Sequence, residues 1–542
     1  MKINYTVKLK TPALTASLGI IGKDIDVVVK VDSKGKPFFN GKHIKGILKE
    51  RVTQFKLGLG ESEEETKKFI DKYFGKEGNY IKDNNFDKIR FSNLVLVDKN
   101  NYNIDDRYGI KIDRKTRTTV HNSLFRYEHI TAGTEFKGDI EVPDKIDRED
   151  LKFILACLFH LDTIGGFKSR GIGKVDVFIK ERELKYKENE DIIDNIISEI
   201  LQSNNEDSKA NLNGKLKKYS YTLSLKEPFI LTGREIGNYV EVRDSIQGST
   251  VRGAMIEYFA KSKDVSLEDL LCIEASDAIS GDISLASKFI TKYAINGDKI
   301  ETDKIVDSRN EIEDKSKGKG VKLERKGTSM LKAKGNEISI AINSQTKSVE
   351  DGMLFNSEYL QCDEKLIGDI VLPEGLVDEN KDYTIYLGKM KSKGFGKAVI
   401  TFGKYEKERA NLKARIEKLQ KQAKEKIFTF DLQSDLVLPF NTIYNVGEQF
   451  KSLIGNSKEI SEIKFKENKS YINTGKLGGY NIINNIRKVD ELVITRGSVL
   501  TYEIDDFNSI LPQLEEIEEK GLGLRKNEGF GRVKISSERG EK

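Results

Sequence analysis

Three short segments of the chain combine glycines with lysines and arginines in an order that suits phosphate binding. They are loop 1 (GGFKSRGIGK, residues 165–174), loop 2 (KMKSKGFGK, residues 389–397) and loop 3 (LRKNEGFGR, residues 524–532). Glycine lets the backbone take positive φ and approach a ligand closely, and successive N–H groups can form a concave anion site. The bases add positive charge, and an arginine can hold a phosphate through two donors. These loops are the first candidates for binding a nucleic-acid backbone.

The residues predicted to contact RNA in the loops are their bases, serines and glycines. In chain order they are Lys168, Ser169, Arg170, Gly171, Gly173, Lys174, Lys391, Ser392, Lys393, Gly394, Gly396, Lys397, Arg525, Lys526, Gly529, Gly531 and Arg532. A mononucleotide P-loop is excluded, because Walker A runs from a strand to a helix and ends in GK(S/T), whereas loop 1 runs from a predicted helix to a strand. One such loop alone is also typical of a plain helix C-cap and turn. The recurrence of three basic versions favours the functional interpretation.

Two further basic stretches each lie shortly before an LF pair. The first is GIKIDRKTRT, with Lys111, Arg114, Lys115 and Arg117, and the second covers residues 314–335. Each could be a hairpin that becomes ordered on RNA, or simply a solvated surface loop, and both interpretations stay open. The remaining predicted RNA contacts lie near the starts of two predicted helices and are His43, Lys45 and Arg252.

The loops are the last of four sequence anchors that recur in the same order. YTVKLKTP from Tyr5 matches YTLSLKEP from Tyr221, and both alternate like opening strands. GKHIKGILKE then matches GSTVRGAMIE, and each has helical spacing. LFRYEHITAGTEFKGDIEVP matches LFNSEYLQCDEKLIGDIVLP, sharing LF, Glu, GDI and Pro at equal spacing. This order predicts a chain of repeated structural units.

A third, divergent copy is indicated by FTFDLQ from Phe428 and TRGSVLTYEI from Thr495. We therefore divide the chain into a first unit, a charged linker, a second unit with a basic insertion, a linking helix and a third unit. Their predicted bounds are 1–182, 183–214, 215–403 with the insertion at 297–335, 404–426 and 427–542.

The first unit shows the fold most clearly. Two strands precede a helix, a charged helix near 61–74, strands near 90–97 and 123–142, and the helix EDLKFILACLFHL, whose apolar residues share one face. Loop 1 then leads into the strand GKVDVFI. This order predicts an α+β protein of tandem ferredoxin-like, RRM-like units with antiparallel sheets.

Composition limits the classes of function that are possible. The 542 residues include 92 Lys and Arg and 87 Asp and Glu, so a net charge of +5 is too small to indicate a polyanion partner without local clustering. The three cysteines are far apart and form neither a disulfide framework nor a CxxC zinc motif. The sequence has no apolar run long enough to cross a bilayer, so a cytoplasmic protein without a membrane partner is expected.

The motifs GGFKSRGIGK, GKPFFNGKHIKG and LFRYEHITAGTEF resemble the RAMP superfamily of CRISPR-associated proteins, particularly subunits of type III effector complexes. The ending GLGLRKNEGFGRV and the several units look most like the large RAMP subunit of type III-D systems, the Csx group. The resemblance implies a subunit that binds CRISPR RNA, pairs it with complementary target RNA and contacts other subunits of the effector complex. It also implies that the loop bases Lys168, Arg170, Lys391, Lys393, Arg525 and Arg532 contact the guide backbone, while base pairing supplies sequence specificity.

The resemblance also implies a possible metal-dependent cut of target RNA. In related subunits the catalytic aspartate follows the first strand, and the matching stretch here is GIIGKDIDVVVKVDSKGKPFFNGK. Asp26 takes that place, with Asp24 as the runner-up, and either carboxylate could hold Mg²⁺ or position the attacking 2′-hydroxyl. Both could equally be solvent-facing residues of a strand edge. Mg²⁺ is the only cofactor that we expect, and only if target RNA is cleaved.

Two alternatives remain at this stage. A stand-alone endoribonuclease that processes precursor CRISPR RNA would share the fold and use a histidine as general acid or base, and the chain offers His43, His121, His129 and His160. An RNA-binding protein without a CRISPR role is the other. A guide-RNA-binding scaffold is the preferred interpretation, and cleavage at Asp26 is optional to it.

Overall fold

The computed structural model of the chain covers three repeated units. It describes residues 2–18, 25–32, 34–75, 88–143, 146–179, 193–198, 215–243, 245–262, 265–280, 290–291, 294–296, 299–301, 306–307, 333–342, 349–361, 363, 365–405, 412–439, 445–454, 460, 462–481 and 486–536. Asp24 and nearly all of the basic stretch 314–335 lie outside the described residues, so the predictions for them stay predictions.

The first unit contains ten strands and three helices among its described residues. The strands are β1 (Lys2–Leu9), β2 (Ala16–Leu18), β3 (Val27–Val29), β4 (Phe38–Phe39), β5 (Arg90–Phe91), β6 (Leu94–Leu96), β7 (Ile104–Ile112), β8 (Thr119–Ile130), β9 (Glu135–Glu141) and β10 (Val175–Ile179). The helices are α1 (Gly41–Gly58), α2 (Glu63–Tyr73) and α3 (Arg148–Phe159).

Local sequence explains where these helices lie. In α1, Ile44, Leu48 and Val52 recur every four residues and are buried on one face. A capping box begins α2, since the Ser62 hydroxyl accepts from the Glu65 N–H and the Glu65 carboxylate accepts from the Ser62 N–H. The predicted apolar helix before loop 1 is α3, with Leu151, Ile154, Leu155 and Leu158 buried.

The main sheet of the first unit has the order β10-β1-β9-β6-β4, with β5 also paired to β9. A smaller sheet has the order β2-β3-β8-β7, in which β7 and β8 form a long antiparallel hairpin. The pairing of β3 with β8 is parallel, so the expectation of antiparallel sheets fails at this point. Between β3 and β8 the chain adds β4, β5 and β6 to the main sheet and returns to the small sheet in β7. It then reverses at the hairpin turn, so β8 runs in the direction of β3.

The second unit repeats this plan. Its strands are β11 (Leu216–Leu225), β12 (Thr232–Ile236), β13 (Tyr239–Val242), β14 (Glu274–Ala275), β15 (Ile279–Ser280), β16 (Ile290–Thr291), β17 (Ala294–Asn296), β18 (Lys299–Glu301), β19 (Val306–Asp307), β20 (Ala333–Ile342), β21 (Val349–Gln361), β22 (Lys365–Pro373), β23 (Asp382–Tyr386) and β24 (Lys397–Lys404). Its helices are α4 (Gly248–Ser262) and α5 (Leu267–Leu270). The main sheet is β14-β22-β11-β24-β23, and the small sheet β12-β13-β21-β20 again contains one parallel pair, β13 with β21. The edge strand β23 follows β22 at the chain position that α3 takes after β9.

The third unit is shorter. It contains α6 (Leu412–Ala423), β25 (Ile427–Leu432), β26 (Leu436–Val437), α7 (Val446–Ile454), β27 (Lys464–Phe465), β28 (Thr474–Asn481), β29 (Ile486–Ile494), β30 (Val499–Glu503), α8 (Leu511–Lys520) and β31 (Val533–Ile535). Its sheets have the orders β27-β30-β25-β31 and β26-β29-β28. In all three units the opening strand therefore lies centrally, between the strand that follows the loop and the strand that ends the repeated GDI-type anchor.

A tyrosine and a glycine explain why two of the anchors recur. Tyr5 and Tyr221 are buried on the opening strands and pair with Gly138 and Gly368, the glycines of the GDI anchors. A Cβ on Gly368 would lie 2.4 Å from the Tyr221 hydroxyl, so only glycine leaves room for the ring. In the third unit both positions of this pair are aromatic, since Phe428 pairs with Tyr502. The third unit therefore lacks the glycine of the GDI anchor.

The segments predicted to link the units take part in the cores. Residues 193–198 are helical, and Ile193, Ile196 and Ile197 are buried in the first core. In α6, Leu412 and Ile416 are buried in the third core. None of the described helices has the length and apolar character that crossing a membrane requires.

The glycine that ends loop 1 provides a stability test. Gly173 has φ of 85°, and a Cβ there would lie 2.0 Å from the Ile164 carbonyl oxygen. Gly133 has the same φ of 85° with nothing within 4 Å of its Cβ position. We expect Gly133→Ala to cost about 1 kcal/mol for the left-handed backbone alone, and Gly173→Ala at least about 2 kcal/mol more because backbone must move. Urea unfolding followed by circular dichroism measures both, and equal losses would contradict the steric account.

Candidate nucleic-acid interface

The three loops share one backbone conformation. Each enters through a non-glycine residue with positive φ, makes a single turn and leaves through two glycines with positive φ. The entering residues are Phe167, Met390 and Arg525 at 56°, 59° and 56°, and the glycines are Gly171 and Gly173, Gly394 and Gly396, and Gly529 and Gly531 at 74–88°. The second glycine of each pair packs on a backbone carbonyl, which a Cβ would approach within 2.0, 2.1 and 1.7 Å in loops 1, 2 and 3. Sequence similarity among the loops thus reflects a common shape.

Loop 2 is docked on the first unit at the start of α1. The Lys42 N–H donates to the Lys393 carbonyl at 2.9 Å, and the Asn93 amide donates to the Gly394 carbonyl at 2.9 Å. The side-chain oxygen of Asn93, Oδ1, in turn accepts from the Gly41 N–H at 2.8 Å. These bonds satisfy amides that a helix start otherwise leaves without a partner. We call this contact the first joint.

Ion pairs surround the first joint. Lys397 pairs with Asp139 of the first unit at 2.9 Å. Arg90 of the first unit and Lys391 of loop 2 both contact Glu257, at 2.5 and 2.6 Å. Burial opposes ionisation of Glu257, but Lys391, Arg90 and Lys261 together lower its pKa to about 2. The carboxylate therefore stays ionised and holds the two units together.

Two lysines that were predicted to bind RNA are enclosed by the first joint. Lys45 is buried and donates to the Ser392 hydroxyl at 3.0 Å. Burial, with Lys42 and Lys49 nearby, lowers the pKa of Lys393 to about 8.

Loop 3 docks on the second unit in the same way, forming the second joint. The Gly248 N–H at the start of α4 donates to Asp277 at 2.7 Å, as Gly41 does to Asn93. A Cβ on Gly529 would lie 2.6 Å from the Ala275 carbonyl oxygen, and Arg532 pairs with Asp369 at 3.3 Å. Burial raises the pKa of Asp277 to about 6. Each joint thus combines a helix-start glycine, a capping Asn or Asp, and a cation of the loop paired with the aspartate of a GDI anchor.

Two further residues that were predicted to contact RNA, Arg525 of loop 3 and Arg252 of α4, also contact protein. Arg525 pairs with Glu528 at 2.6 Å and with Glu491, and it lies over the Phe530 ring. Arg252 donates to the Ile273 and Leu271 carbonyls at 2.6 Å each. Lys526 is exposed. Arg525 and Arg252 therefore contact protein in this structure, and RNA contact by all three residues stays a prediction.

Sequence reasoning missed the acceptor side of both joints. Asn93 and Asp277 lie in FSN and ASD, which are short matching segments between the second and third anchors. Ser92 and Ser276 also correspond, since each hydroxyl accepts at 2.7 Å from the N–H of the aspartate in the GDI anchor. This match was the available signal, but three residues were too few to stand out.

Loop 1 differs from the other two because it is exposed. Lys168, Arg170, Gly171 and Lys174 all face solvent, and no atom lies within 4 Å of the Cβ position of Gly171. The Arg170 guanidinium lies 4.5 Å from the Phe167 ring centroid, on its own loop. Of Ser169 only the backbone is described, in the turn at 168–170.

His43 connects loop 1 to α1. Its Nε2 accepts from the Gly165 N–H at 2.7 Å, so the imidazole is neutral and protonated at Nδ1. Burial, followed by the charge of Lys168, lowers the pKa of His43 to about 4. The prediction that His43 contacts RNA stays untested, but Nε2 already has a structural partner. A role as general base at that nitrogen would require loop 1 to move.

The β7–β8 hairpin lies beside loop 1 and has a basic tip. Arg170 also lies 5.7 Å from the ring centroid of Phe125, which packs against Gly109 on the opposite strand. The Asp113 carboxylate accepts from the Lys115 and Thr116 N–H groups at 2.7 and 2.9 Å, which fixes the turn and lowers the pKa of Asp113. The basic tip consists of Lys111, Arg114, Lys115 and Arg117, all exposed. Of the alternatives kept from the sequence, this stretch is a formed hairpin.

One face of the same hairpin is apolar and exposed. Its members are Tyr108, Ile110, Ile112 and Leu124, with 63%, 52%, 57% and 65% exposure. Arg126 lies over the Tyr108 ring at 5.3 Å and pairs with Asp106 at 2.6 Å. An apolar strip beside a basic tip offers stacking and phosphate contacts together, as single-stranded RNA requires.

Asp26 lies at the base of this hairpin. Its carboxylate accepts from the Arg126 N–H at 2.8 Å, and its own N–H donates to the Arg126 carbonyl at 2.9 Å. The Asp26 side chain is exposed, and the Asp106 carboxylate also contacts Arg126. Among the described residues no cluster of three or more metal-ligating side chains occurs. A Mg²⁺ at Asp26 would therefore take most of its oxygen ligands from RNA phosphate and water.

The other histidines are dispersed. His121 is exposed on β8, and His160 lies against Phe55 at the end of α3. His129 is buried beside Tyr127, and burial is the main cause of its lowered pKa. They do not form a common site with His43.

Glu227 gives the first joint a pH dependence. Its carboxylate accepts from the Asn93 N–H at 3.2 Å, and burial raises its pKa from 4.5 to about 7. Because the folded pKa is the higher one, stability falls as pH rises from about 4.5 to about 7, and the loss persists at higher pH. We expect Glu227→Gln to raise the stability at pH 8 by at most about 3 kcal/mol, and to have a much smaller effect near pH 4.5. Thermal unfolding at both pH values checks this, with Glu374→Gln at an exposed site as the control.

Comparison with known proteins gives limited similarity to solved structures. No curated protein matches the sequence. A chain of the type III-B Cmr-beta complex bound to cognate target RNA aligns with a TM-score of 0.31 and 15% identity, covering 55% of this chain and 89% of that chain. A chain of the Cmr-beta apo state aligns at 0.27 and 11%, covering 33% and 98%. A chain of a type IV-B CRISPR complex aligns at 0.25 and 11%, covering 34% and 92%.

The family comparison is more specific. Residues 6–176 match the RAMP superfamily. The match begins in β1, includes both sheets and the basic hairpin, and ends in β10 just after loop 1. The similarity to the RAMP superfamily thus covers the first unit of the chain.

Proposed function

We propose that this protein is a guide-RNA-binding subunit of a type III CRISPR effector complex, and that RNA lies along the β7–β8 hairpin of the first unit. The basic tip carries the proposal. Four exposed cations lie within seven residues, and none has an ion-pair partner among the described residues. Unpaired, clustered cations on a fixed turn suit a polyanion, because no protein contact must be broken on binding.

The similarity of the first unit to the RAMP superfamily also supports the proposal. RAMP-superfamily proteins resemble this chain in the loop and hairpin motifs, and the matched residues contain the whole hairpin. In this proposal the guide lies on the hairpin, and complementary target RNA pairs with the bound guide. The type III-D assignment and a cytoplasmic location rest on the sequence alone.

The joints favour a scaffold role over that of a small, free-standing enzyme. Hydrogen bonds and buried ion pairs hold loop 2 on the first unit, and the Arg532–Asp369 pair holds loop 3 on the second, so the chain joins three similar units in a fixed order. We propose that each unit is a ferredoxin-like RAMP unit, the second with a strand where α3 stands in the first. Other subunits of the complex would then contact the ends of this series.

Removing two cations from the basic tip tests RNA binding. We expect Arg114→Ala combined with Arg117→Ala to weaken binding of a labelled single-stranded RNA roughly tenfold or more, and to reduce the dependence of log K on log salt by about 1.4. The measurement is fluorescence anisotropy of the purified full chain at several salt concentrations. Lys67→Ala with Lys68→Ala on α2 removes the same charge elsewhere and serves as the control. Equal affinity for both double variants would contradict a hairpin site.

Asp26 is the candidate for chemistry in this proposal. Its exposed carboxylate is held at the base of the hairpin by the Arg126 N–H, where an RNA strand leaving the basic tip would pass. A bound Mg²⁺ would supply Lewis-acid stabilisation of the phosphate. The contribution of the chain is to fix the carboxylate and, through Arg126 and the basic tip, to position the RNA backbone.

Substitutions of Asp26 and of its neighbour Asp106 distinguish a catalytic from a structural role of Asp26. If Asp26 is catalytic, Asp26→Asn should lower cleavage of complementary RNA by the assembled complex at least about a hundredfold, because Asn cannot supply the charge. Asp106→Asn, which also alters an acid in contact with Arg126, should change the rate little. Single-turnover cleavage with gel readout, together with anisotropy to verify RNA binding, measures both. Cleavage that survives Asp26→Asn would leave the scaffold role intact and remove the catalytic one.

A further inference from the structure

The two joints share the same arrangement of a loop docked on a helix start. Loop 1 has the same conformation but is exposed, and the comparison with the joints suggests what it binds. In both joints, a loop of one unit fills the helix start of the preceding unit. The first glycine of each loop lies close to the side chain that caps the helix. The Cβ position of Gly394 is 2.1 Å from Asn93 Oδ1, and that of Gly529 is 3.3 Å from Asp277 Oδ1. The cation after the second glycine, Lys397 or Arg532, reaches the aspartate of a GDI anchor.

Loop 1 has each feature that loops 2 and 3 contribute to their joints. Its positive-φ residues match those of loops 2 and 3 in position and value. Gly171 takes the place of Gly394 and Gly529, but its Cβ position is open. Lys174 takes the place of Lys397 and Arg532, and it is exposed without an ion-pair partner among the described residues.

The hairpin supports the same conclusion. In the second unit, β20 contacts the first unit through Glu337, which pairs with Lys30 at 2.5 Å and lies 3.6 Å from Lys42. The registers of the two hairpins correspond, since Ile110 pairs with Leu124 and Ile340 with Leu354. Arg107 therefore takes the place of Glu337, with the charge reversed. A partner docked on loop 1 should present acidic residues where the first unit presents Lys30 and Lys42.

The acceptor surfaces within this chain do not suit loop 1. Those of the first and second units are already filled by loops 2 and 3. In the third unit the ring of Phe465 covers the helix-start glycine Gly447, with its Cδ1 2.2 Å from the Cβ position of that glycine. A second copy of the chain is therefore a poor partner.

We propose that loop 1 docks on a RAMP-type unit of a different protein. The partner would offer a helix that begins with glycine, an Asn or Asp side chain that caps it, an aspartate for Lys174 and acidic residues for Arg107. The docked surface is the backbone of loop 1 with Lys174, while the basic tip stays free for RNA. This inference goes beyond RNA binding and does not depend on it.

The test uses the full chain and each RAMP-type protein encoded beside it, purified and treated with ribonuclease. Gly171→Asn keeps a residue that tolerates positive φ but adds a side chain where the joints have no room. We expect it to weaken binding to one such protein at least about a hundredfold by isothermal titration calorimetry. Gly133→Asn, at an open glycine with φ of 85°, should leave the affinity unchanged. Lys174→Glu should weaken binding at least about tenfold, whereas Lys137→Glu on an exposed strand position should not.

Three results would overturn the proposal. The first is that none of these proteins binds, or that one binds with an affinity that Gly171→Asn and Lys174→Glu leave unchanged. The second is self-association of the chain that Gly171→Asn abolishes, which would make a second copy the partner. The third is loss of RNA affinity in Gly171→Asn with protein affinity retained, which would make loop 1 an RNA site. Since the basic-tip variants report RNA binding separately, the two proposals can fail independently.

Discussion

The unsatisfied amides at the starts of α1 and α4 are the constraint on which the arrangement of the units depends. A helix start presents N–H groups that must find acceptors, and in both units a glycine leaves room for another segment to come close. In the first joint the Lys393 carbonyl and the Asn93 side chain accept from these groups, and in the second joint the Asp277 carboxylate accepts from the Gly248 N–H. Because the loop belongs to the following unit, satisfying a local requirement of one helix fixes the order of neighbouring units.

The same constraint explains the placement of charge. Lys397 and Arg532 lie at the rims of the joints, where Asp139 and Asp369 lie. Glu257 is enclosed by Arg90, Lys391 and Lys261, so its charge is compensated. Buried pairs of this kind contribute little net stability compared with apolar packing, but removing one partner is costly. They therefore act mainly to specify which loop meets which helix.

Much of the fold could be predicted from the sequence because its signals are local. The capping box at Ser62, the apolar face of α3 and the turn after β7 depend on residues within a few positions of one another. The joints could not be predicted in this way, because Asn93 and Gly394 are 301 residues apart. For Lys45 and Lys391 the sequence shows a base but not the Ser392 hydroxyl or the Glu257 carboxylate folded against it, and RNA contact by both stays a prediction. Lys111, Arg114 and Arg117 are exposed, since no other unit covers their hairpin in the part of the chain that the structure describes.

The separation of the two halves of the first joint also has a consequence for synthesis. The first unit has all strands of its main sheet once β10 is made, but the start of α1 has no loop until residues 391–397 have left the ribosome. At ordinary rates of translation, roughly 15 to 60 s pass between Asn93 and Gly394. During that time the nascent chain presents an open acceptor that any similar loop can enter, including one from a neighbouring chain on the same message. Correct assembly thus depends on the second unit folding quickly once it emerges, and slow codons placed before loop 2 would favour exchange between chains.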